Sequence, residues 1–96
     1  MTTTKTMPLF PLGRTVATHG ALEALADAGQ TPLPFLRRHA RGDWGLVDKA
    51  DARANDEAVR ARERILSVYR TAKGVHLWVI TEADRSATTL LLPSDY

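Results

Sequence analysis

Three runs of β-branched and aromatic residues, separated by two short turns, dominate the last third of the chain. The runs begin near Arg64, and the turns centre on Lys73-Gly74 and Asp84-Arg85. Apolar runs bounded by glycine or polar turn residues are typical of antiparallel strands joined by hairpins. The pattern therefore predicts a three-stranded antiparallel meander over residues 64–93.

Pairing the strands about these turns predicts their register, with Val68 opposite Val79 and Val79 opposite Leu90. One face would be the core face, made of Leu66, Val68, Leu77, Val79, Leu90 and Leu92. The other would carry Tyr69, His76, Trp78, Ile80, Thr89 and Leu91. A slip of one residue would exchange the faces of a strand. Lys-Gly is a weaker signal for a two-residue turn than Asn-Gly, so a bulged loop is an open alternative.

The chain before the strands carries helix-start and helix-stop signals. Thr18 is a suitable N-cap for a helix over residues 19–28, and Thr31-Pro32 begins a second helix that runs to about residue 41. Residues 48–63, rich in charge and with alanines at helical spacing, predict a third helix. Two to three helices followed by strands predict the α+β class, with the helices packed on the sheet.

With 96 residues the chain is expected to form a single domain. We divide it into a polar tail (1–6), an extended segment (7–17), a helical part (18–63) and the sheet (64–93). Prolines keep the extended segment from forming a helix, and residues 15–17 predict a short strand within it. Phe35, Leu36 and Ala40 of the second helix are expected to face the core, and Trp44 is expected to anchor the turn at Asp43-Trp44-Gly45.

Composition narrows the classes of function. The chain has no cysteine, a net charge of +2 and no apolar run near the roughly 18 residues that a membrane span needs. Its N-terminus lacks the apolar stretch of a signal peptide. We expect a cytoplasmic protein with no membrane partner, and we expect no cofactor.

The second face of the predicted sheet is too apolar to be fully exposed to solvent. Either the extended segment or a helix covers it, or it is an exposed patch that docks a partner. In the second case the partner-binding residues are Tyr69, His76, Trp78, Ile80 and Leu91.

The turn at Glu82, Asp84 and Arg85 is the densest polar cluster. The two carboxylates could serve metal or acid–base chemistry, but His76 lies about 20 Å from Glu82 by strand rise. The alternative is a hairpin turn whose polar side chains bind local backbone. The three histidines show no ligand spacing, so we expect no metal site and no catalytic residue.

Arginines cluster in the second helix and at the end of the third. They either contact phosphate groups or form solvated helix faces. The candidate nucleic-acid contacts are Arg37, Arg38, Arg41, Arg60 and Arg64.

Several stretches spread over nearly the whole chain carry a resemblance: residues 10–18, 20–25 and 35–39, Gly42-Asp43-Trp44-Gly45, the run from Ile80 to Ser86, and Thr88-Thr89-Leu90-Leu91-Leu92-Pro93. In these stretches the chain resembles a family of short proteobacterial proteins described as plasmid-related. His19 departs from the proline expected there. The resemblance implies a gene carried on plasmids and integrative elements, which encode small proteins for maintenance, regulation and evasion of host defence.

Together these observations predict a non-enzymatic protein-binding accessory protein of a mobile element. Its expected partner is a host defence complex, such as a CRISPR effector or a restriction enzyme. Two alternatives stay open: a small nucleic-acid-binding regulator that uses the arginine clusters, and a small metal-dependent nuclease that uses Glu82, Asp84 and Arg85.

Overall fold

A computed structural model describes residues 7–96, so the predicted polar tail lies outside the described residues. The elements run in the order β1 (Arg14–Ala17), α1 (His19–Asp27), α2 (Pro32–Ala40), α3 (Lys49–Ala61), β2 (Ile65–Arg70), β3 (His76–Thr81) and β4 (Ala87–Leu91), followed by a 3-10 turn (Pro93–Asp95). Three helices precede three consecutive strands, and the predicted α+β class is confirmed.

The helices begin where their capping residues predict. The Thr18 hydroxyl accepts a hydrogen bond from the Ala21 N–H at 3.1 Å, which satisfies one of the free amides of α1. Asp48 caps α3 in the same way, through the Asp51 N–H at 2.8 Å. Pro32 starts α2, where its missing N–H costs no helical hydrogen bond.

The sheet has four strands rather than three, in the order β1-β4-β3-β2. The short strand predicted over residues 15–17 exists as β1, and it lies parallel to β4 with Val16 opposite Thr89. The other two pairs are antiparallel, as predicted. A parallel neighbour must be reached by a long crossover, which leaves no turn signal in the sequence to reveal the pairing.

The predicted register is correct between β3 and β4 but wrong by one residue between β2 and β3. Val68 lies opposite Trp78, and Tyr69 lies opposite Leu77. The reason is a three-residue loop: the Thr71 N–H donates to the Val75 carbonyl, and Gly74 ends the loop at φ +84°. A turn followed by a left-handed glycine is the bulged loop that the sequence left open as an alternative. Its extra residue shifts the register by one and thereby exchanges the two faces of β2.

The main core fills the face of the sheet that packs on α1 and α2, here called the inner face. Its buried members are Ala21, Leu25, Phe35, Leu36, Tyr69, Leu77, Val79 and Leu90. Burial is thus confirmed for Phe35, Leu36, Leu77, Val79 and Leu90. The expectation for Leu66 and Val68 was wrong, since the register shift places them half-buried on the opposite, outer face.

A second cluster closes the core beside β2. It consists of Phe10, Trp44, Ala58 and Ile65. Trp44, the expected anchor of its turn, is buried, and its indole N–H donates to Asp56 at 3.0 Å. Phe10 brings the extended segment into this cluster, so that segment packs away from the outer face.

The free edge of β2 is covered by side-chain and backbone partners. The Asn55 amide of α3 donates to the Leu66 carbonyl at 2.8 Å and accepts from the Leu66 N–H at 3.2 Å. Farther along, Val68 exchanges backbone hydrogen bonds with Trp44 and Leu46. This edge of the sheet is therefore closed to further strand pairing.

Candidate partner-binding face

The outer face of the sheet is apolar across its centre. Leu66, Val68 and Trp78 are half-buried there, in cross-strand register. Tyr96 follows the 3-10 turn and packs edge-on against Trp78, with ring centroids 5.6 Å apart, yet 70% of it is exposed. The Tyr96 side chain, rather than a helix, therefore covers part of this face.

Two connected hollows follow this face alongside α3. The first, of about 300 Å³, lies between Tyr96 and the sheet, and the second, of about 450 Å³, continues beside Leu46 and Val68. Asn55 and Leu66 line both hollows. We call this surface the outer groove. Arg64 stands at its end, with its guanidinium 5.3 Å from the centre of the Tyr96 ring.

Only part of the predicted partner-binding set is accessible on this face. Tyr69 was wrongly assigned: it is 1% exposed on the inner face, and its hydroxyl donates to the Asp43 carbonyl at 2.6 Å. Burial raises the pKa of this phenol. Ile80 and Leu91 share the outer face with Trp78 but are buried, and His76 is exposed at the start of β3. Trp78 is the accessible aromatic of the set.

A buried chain of polar side chains crosses the inner face, and sequence reasoning missed it. His39 is fully buried, with Nδ1 2.6 Å from the Ser67 hydroxyl and Nε2 2.8 Å from the Thr81 hydroxyl. Thr81 lies 2.7 Å from Thr88, which donates to the Leu12 carbonyl at 2.7 Å. This series of hydrogen-bonded side chains joins α2, three strands and the extended segment.

The Leu12 carbonyl at one end of this series fixes the direction of its hydrogen bonds as far as Nε2 of His39. The Leu12 carbonyl can only accept, so Thr88 donates to it and must accept from Thr81. Thr81 has then used its one proton and accepts from the Nε2–H of His39. His39 therefore carries a proton on Nε2, and in the neutral form of the ring Nδ1 accepts from the Ser67 hydroxyl.

The surroundings of His39 favour this neutral form. Burial, reinforced by the nearby positive charge of Arg85, lowers the pKa of the imidazole to about 4. The ring also packs edge-on against Phe10 and Trp44, at centroid distances of 5.3 and 5.9 Å. A signal for this site existed in the sequence, since His39 follows Phe35 by one helical turn on the buried face of α2.

In the turn at Glu82, Asp84 and Arg85, which was considered for metal chemistry, the arginine has a structural role. Arg85 is 7% exposed, has φ +62°, and donates to the carbonyls of Ala58, Glu63, Glu82 and Ala83. Asp84 accepts a hydrogen bond from the Ser86 N–H at 3.0 Å, and its hydrogen bonds with Ser86 lower the pKa of its carboxyl. Within residues 7–96 no three acidic or histidine side chains converge as metal ligands would.

The candidate nucleic-acid contacts are divided between paired and unpaired arginines. Arg38 binds Asp43 at 2.7 Å, Arg60 binds Glu57 at 2.6 Å, and Arg64 lies 4.0 Å from Glu82. Arg37 on α2 and Arg41, which directly follows this helix, are exposed, and neither forms an ion pair with any described residue. The described part of the chain brings these two arginines, but not all five, to one site.

The fold and this face define a small α+β protein with an open apolar sheet surface. Comparisons with protein-family models, with curated proteins and with solved structures found no match to the chain. In the described residues, no helix has both the length and the apolar character needed to cross a membrane.

Proposed function

We propose that this is a non-enzymatic protein-binding accessory protein whose outer groove docks a partner protein. One observation carries the proposal: an apolar groove opens on the sheet, with Trp78 and Tyr96 packed edge-on at its mouth. Aromatic rings bury a large rigid area on binding at a small cost in conformational entropy. Interface hot spots are accordingly enriched in Trp, Tyr and Arg.

The charge distribution favours a protein partner over nucleic acid at this groove. Arg64 is the cation at the Tyr96 end, and it is already near Glu82. Asp48 and Asp51 line the other end. A phosphate backbone would meet these carboxylates, whereas a protein surface can match both signs of charge.

The resemblance to plasmid-related proteins narrows the identity of the partner. We propose a host defence complex, of the CRISPR or restriction type, whose activity the bound protein inhibits. This finer proposal has its support in the resemblance, and the groove supports only the binding of a protein.

The test is capture of a partner from the native host by the full chain, attached through its N-terminus so that Tyr96 stays accessible. Tyr96→Ala removes the exposed ring, and Tyr96→Phe is the matched control that keeps it. Because Tyr96 is mostly exposed, both variants should melt within a few degrees of the parent chain. We expect Tyr96→Ala to weaken binding of a specific protein by about 2 kcal/mol, and Tyr96→Phe to retain it.

The outcomes separate the alternatives. A retained protein that resists raised salt and is lost with Tyr96→Ala supports the proposal. Retained nucleic acid whose binding falls steeply with salt would instead support the regulator that uses arginines. Restored plasmid or phage entry into a host with an active defence system, seen with the parent chain and Tyr96→Phe but not with Tyr96→Ala, would support the defence inhibitor.

A further inference from the structure

β1 ends the sheet on the side opposite α3, and its outward edge has no strand beside it within residues 7–96. The Arg14 N–H donates to Ser86 and the Thr18 N–H donates to Leu90, on the β4 side. Since alternate residues of a parallel strand direct their backbone groups to opposite sides, Thr15 and Ala17 present theirs outward. An exposed edge of this kind can accept an added strand.

A hollow of about 330 Å³ adjoins this edge on the inner face, between β1 and α2. We call it the edge groove. Its lining is mostly apolar, with Leu12, Leu33 and Leu36 contributing, and Thr15 of β1 lines it as well. A volume near the lower limit for small-ligand pockets, about 300 Å³, suits a few side chains better than a large ligand.

Among residues 7–96, the charges that line the edge groove are the guanidiniums of Arg37 and Arg41, and no acidic side chain of this range lines it. Neither arginine forms an ion pair with a described residue. Arg38, between them, is bound to Asp43 and faces elsewhere. The edge groove therefore lacks the anion that would complement it, in contrast to the mixed charges of the outer groove.

We propose that the edge of β1 and the edge groove together bind an extended, acidic peptide segment of a partner protein by strand addition. The peptide backbone pairs with the outward groups of Thr15 and Ala17. Alternate side chains enter the edge groove, where an apolar residue packs on Leu33 and Leu36. Carboxylates two positions away reach Arg37 and Arg41 and form charge-assisted hydrogen bonds.

A peptide fits this site better than other anionic partners. Two arginines provide little of the charge that a phosphate backbone needs, and nucleic acid has no group to pair with alternating N–H and C=O groups. The site is separate from the outer groove and does not depend on the function proposed for it. Substitutions at Tyr96 should leave peptide binding unchanged.

The test uses a labelled peptide titrated into the full chain by fluorescence anisotropy. The peptide has leucine at its centre, glutamate two residues to either side and threonine at the other positions, so that leucine and glutamates share one face of the added strand. Two control peptides are matched to it: one with lysine in place of glutamate, and one with N-methylated amides on the pairing side. We expect the first peptide to bind, and we expect the affinity of each control peptide to be lower by about tenfold or more.

Variants of β1 identify the edge itself. Thr15→Pro removes the outward N–H but no hydrogen bond to β4, because that N–H is directed away from the sheet. Thr15→Val is the matched control, which keeps the N–H and the size of the side chain. Thr15→Pro should lower the affinity for the peptide several-fold, whereas Thr15→Val should not. The double variant Arg37→Glu with Arg41→Glu should abolish peptide binding.

Three results would overturn the proposal. The first is no binding of the glutamate peptide, and the second is equal binding of the N-methylated peptide. The third is a dimer, seen by sedimentation and abolished by Thr15→Pro, since the occupant of the edge would then be a second copy of this chain. Circular dichroism of every variant confirms that the fold is retained before binding is compared.

Discussion

Arg85 illustrates how a residue that resembles a catalytic group in the sequence can be committed to structure. It follows two acidic residues in a polar turn, which is also the pattern of a site that stabilises an anion. Its left-handed backbone turns the side chain inward, and the guanidinium binds the ends of α3 and of β3. The guanidinium also lies over the Phe10 ring at 5.5 Å.

Arg85→Ala should therefore lower the free energy of unfolding by about 2–4 kcal/mol, since it leaves buried carbonyls unpaired. Arg62→Ala is the matched control, because Arg62 also has positive φ, at 58°, but is exposed after α3. We expect that change to cost within about 0.5 kcal/mol. Urea denaturation of both variants measures the difference.

Similar losses for the two variants would mean that the buried guanidinium of Arg85 contributes no more to stability than an exposed arginine side chain does. The nuclease alternative predicts a different result: Mg²⁺-dependent cleavage of nucleic acid that vanishes in Glu82→Gln with little change in stability. We expect no such cleavage, because Glu82 and Asp84 act as turn residues.

At the scale of the elements, two glycines determine how β2 meets its neighbours. Gly74 closes the β2–β3 loop and thereby sets the register of the hairpin. Gly45 crosses the free edge of β2 beside Val68. Both have positive φ, at 84° and 76°, but only Gly45 is crowded.

Gly74→Ala should cost about 1–2 kcal/mol, the strain of a left-handed alanine, because no atom lies near the added methyl group. Gly45→Ala should cost clearly more, because the methyl group would meet the Val68 carbonyl oxygen and the Tyr69 ring. Thermal unfolding of the two variants compares them at equal backbone strain. Equal destabilisation would show that the chain at residue 45 can move away from β2.

Across the whole molecule, the chain of polar side chains through His39 connects parts that are far apart in sequence. It ties α2 to three strands and to the carbonyl of Leu12. Protonation of His39 would place a second donor against Ser67 and a charge beside Arg85. The fold is therefore sensitive to the state of one imidazole.

We expect stability to fall as the pH decreases from about 6.5 to about 4. Within this window the unfolded chain takes up a proton at His39 and the folded protein does not, since its pKa is lowered to about 4. The full difference amounts to about 3 kcal/mol, lost progressively toward the lower pH. Above pH 6.5 this contribution is constant.

Urea midpoints measured across this range test the expectation. His39→Gln keeps hydrogen-bonding groups but cannot titrate, so its midpoints should vary much less between pH 6.5 and 4, whatever its overall stability. The depressed pKa values of Asp43, Asp84 and Asp95 act mainly below this window. An unchanged slope in His39→Gln would show that another group causes the pH dependence.

The sequence predicted local features well and long-range ones poorly. Thr18 identified a helix start because a capping side chain acts within a few residues, and Pro32 identified another because its fixed φ suits the first helical position, although the Thr31 side chain makes no capping hydrogen bond. The register of β2 depended on a single loop residue, and Tyr69 was placed on the wrong face for that reason alone. The pairing of β1 with β4 and the partners of His39 depend on contacts that no local pattern encodes.

The pairing of β1 with β4 has a consequence for how the chain is made. Arg14 pairs with Ala87, so the first strand finds its neighbour only when almost the entire chain has left the ribosome. The β2–β3 hairpin is local and precedes β4 in the chain, so it can assemble earlier, whereas closing the long loop between β1 and β4 delays the final step through its entropy. Until β4 is available, β1 has no strand to pair with.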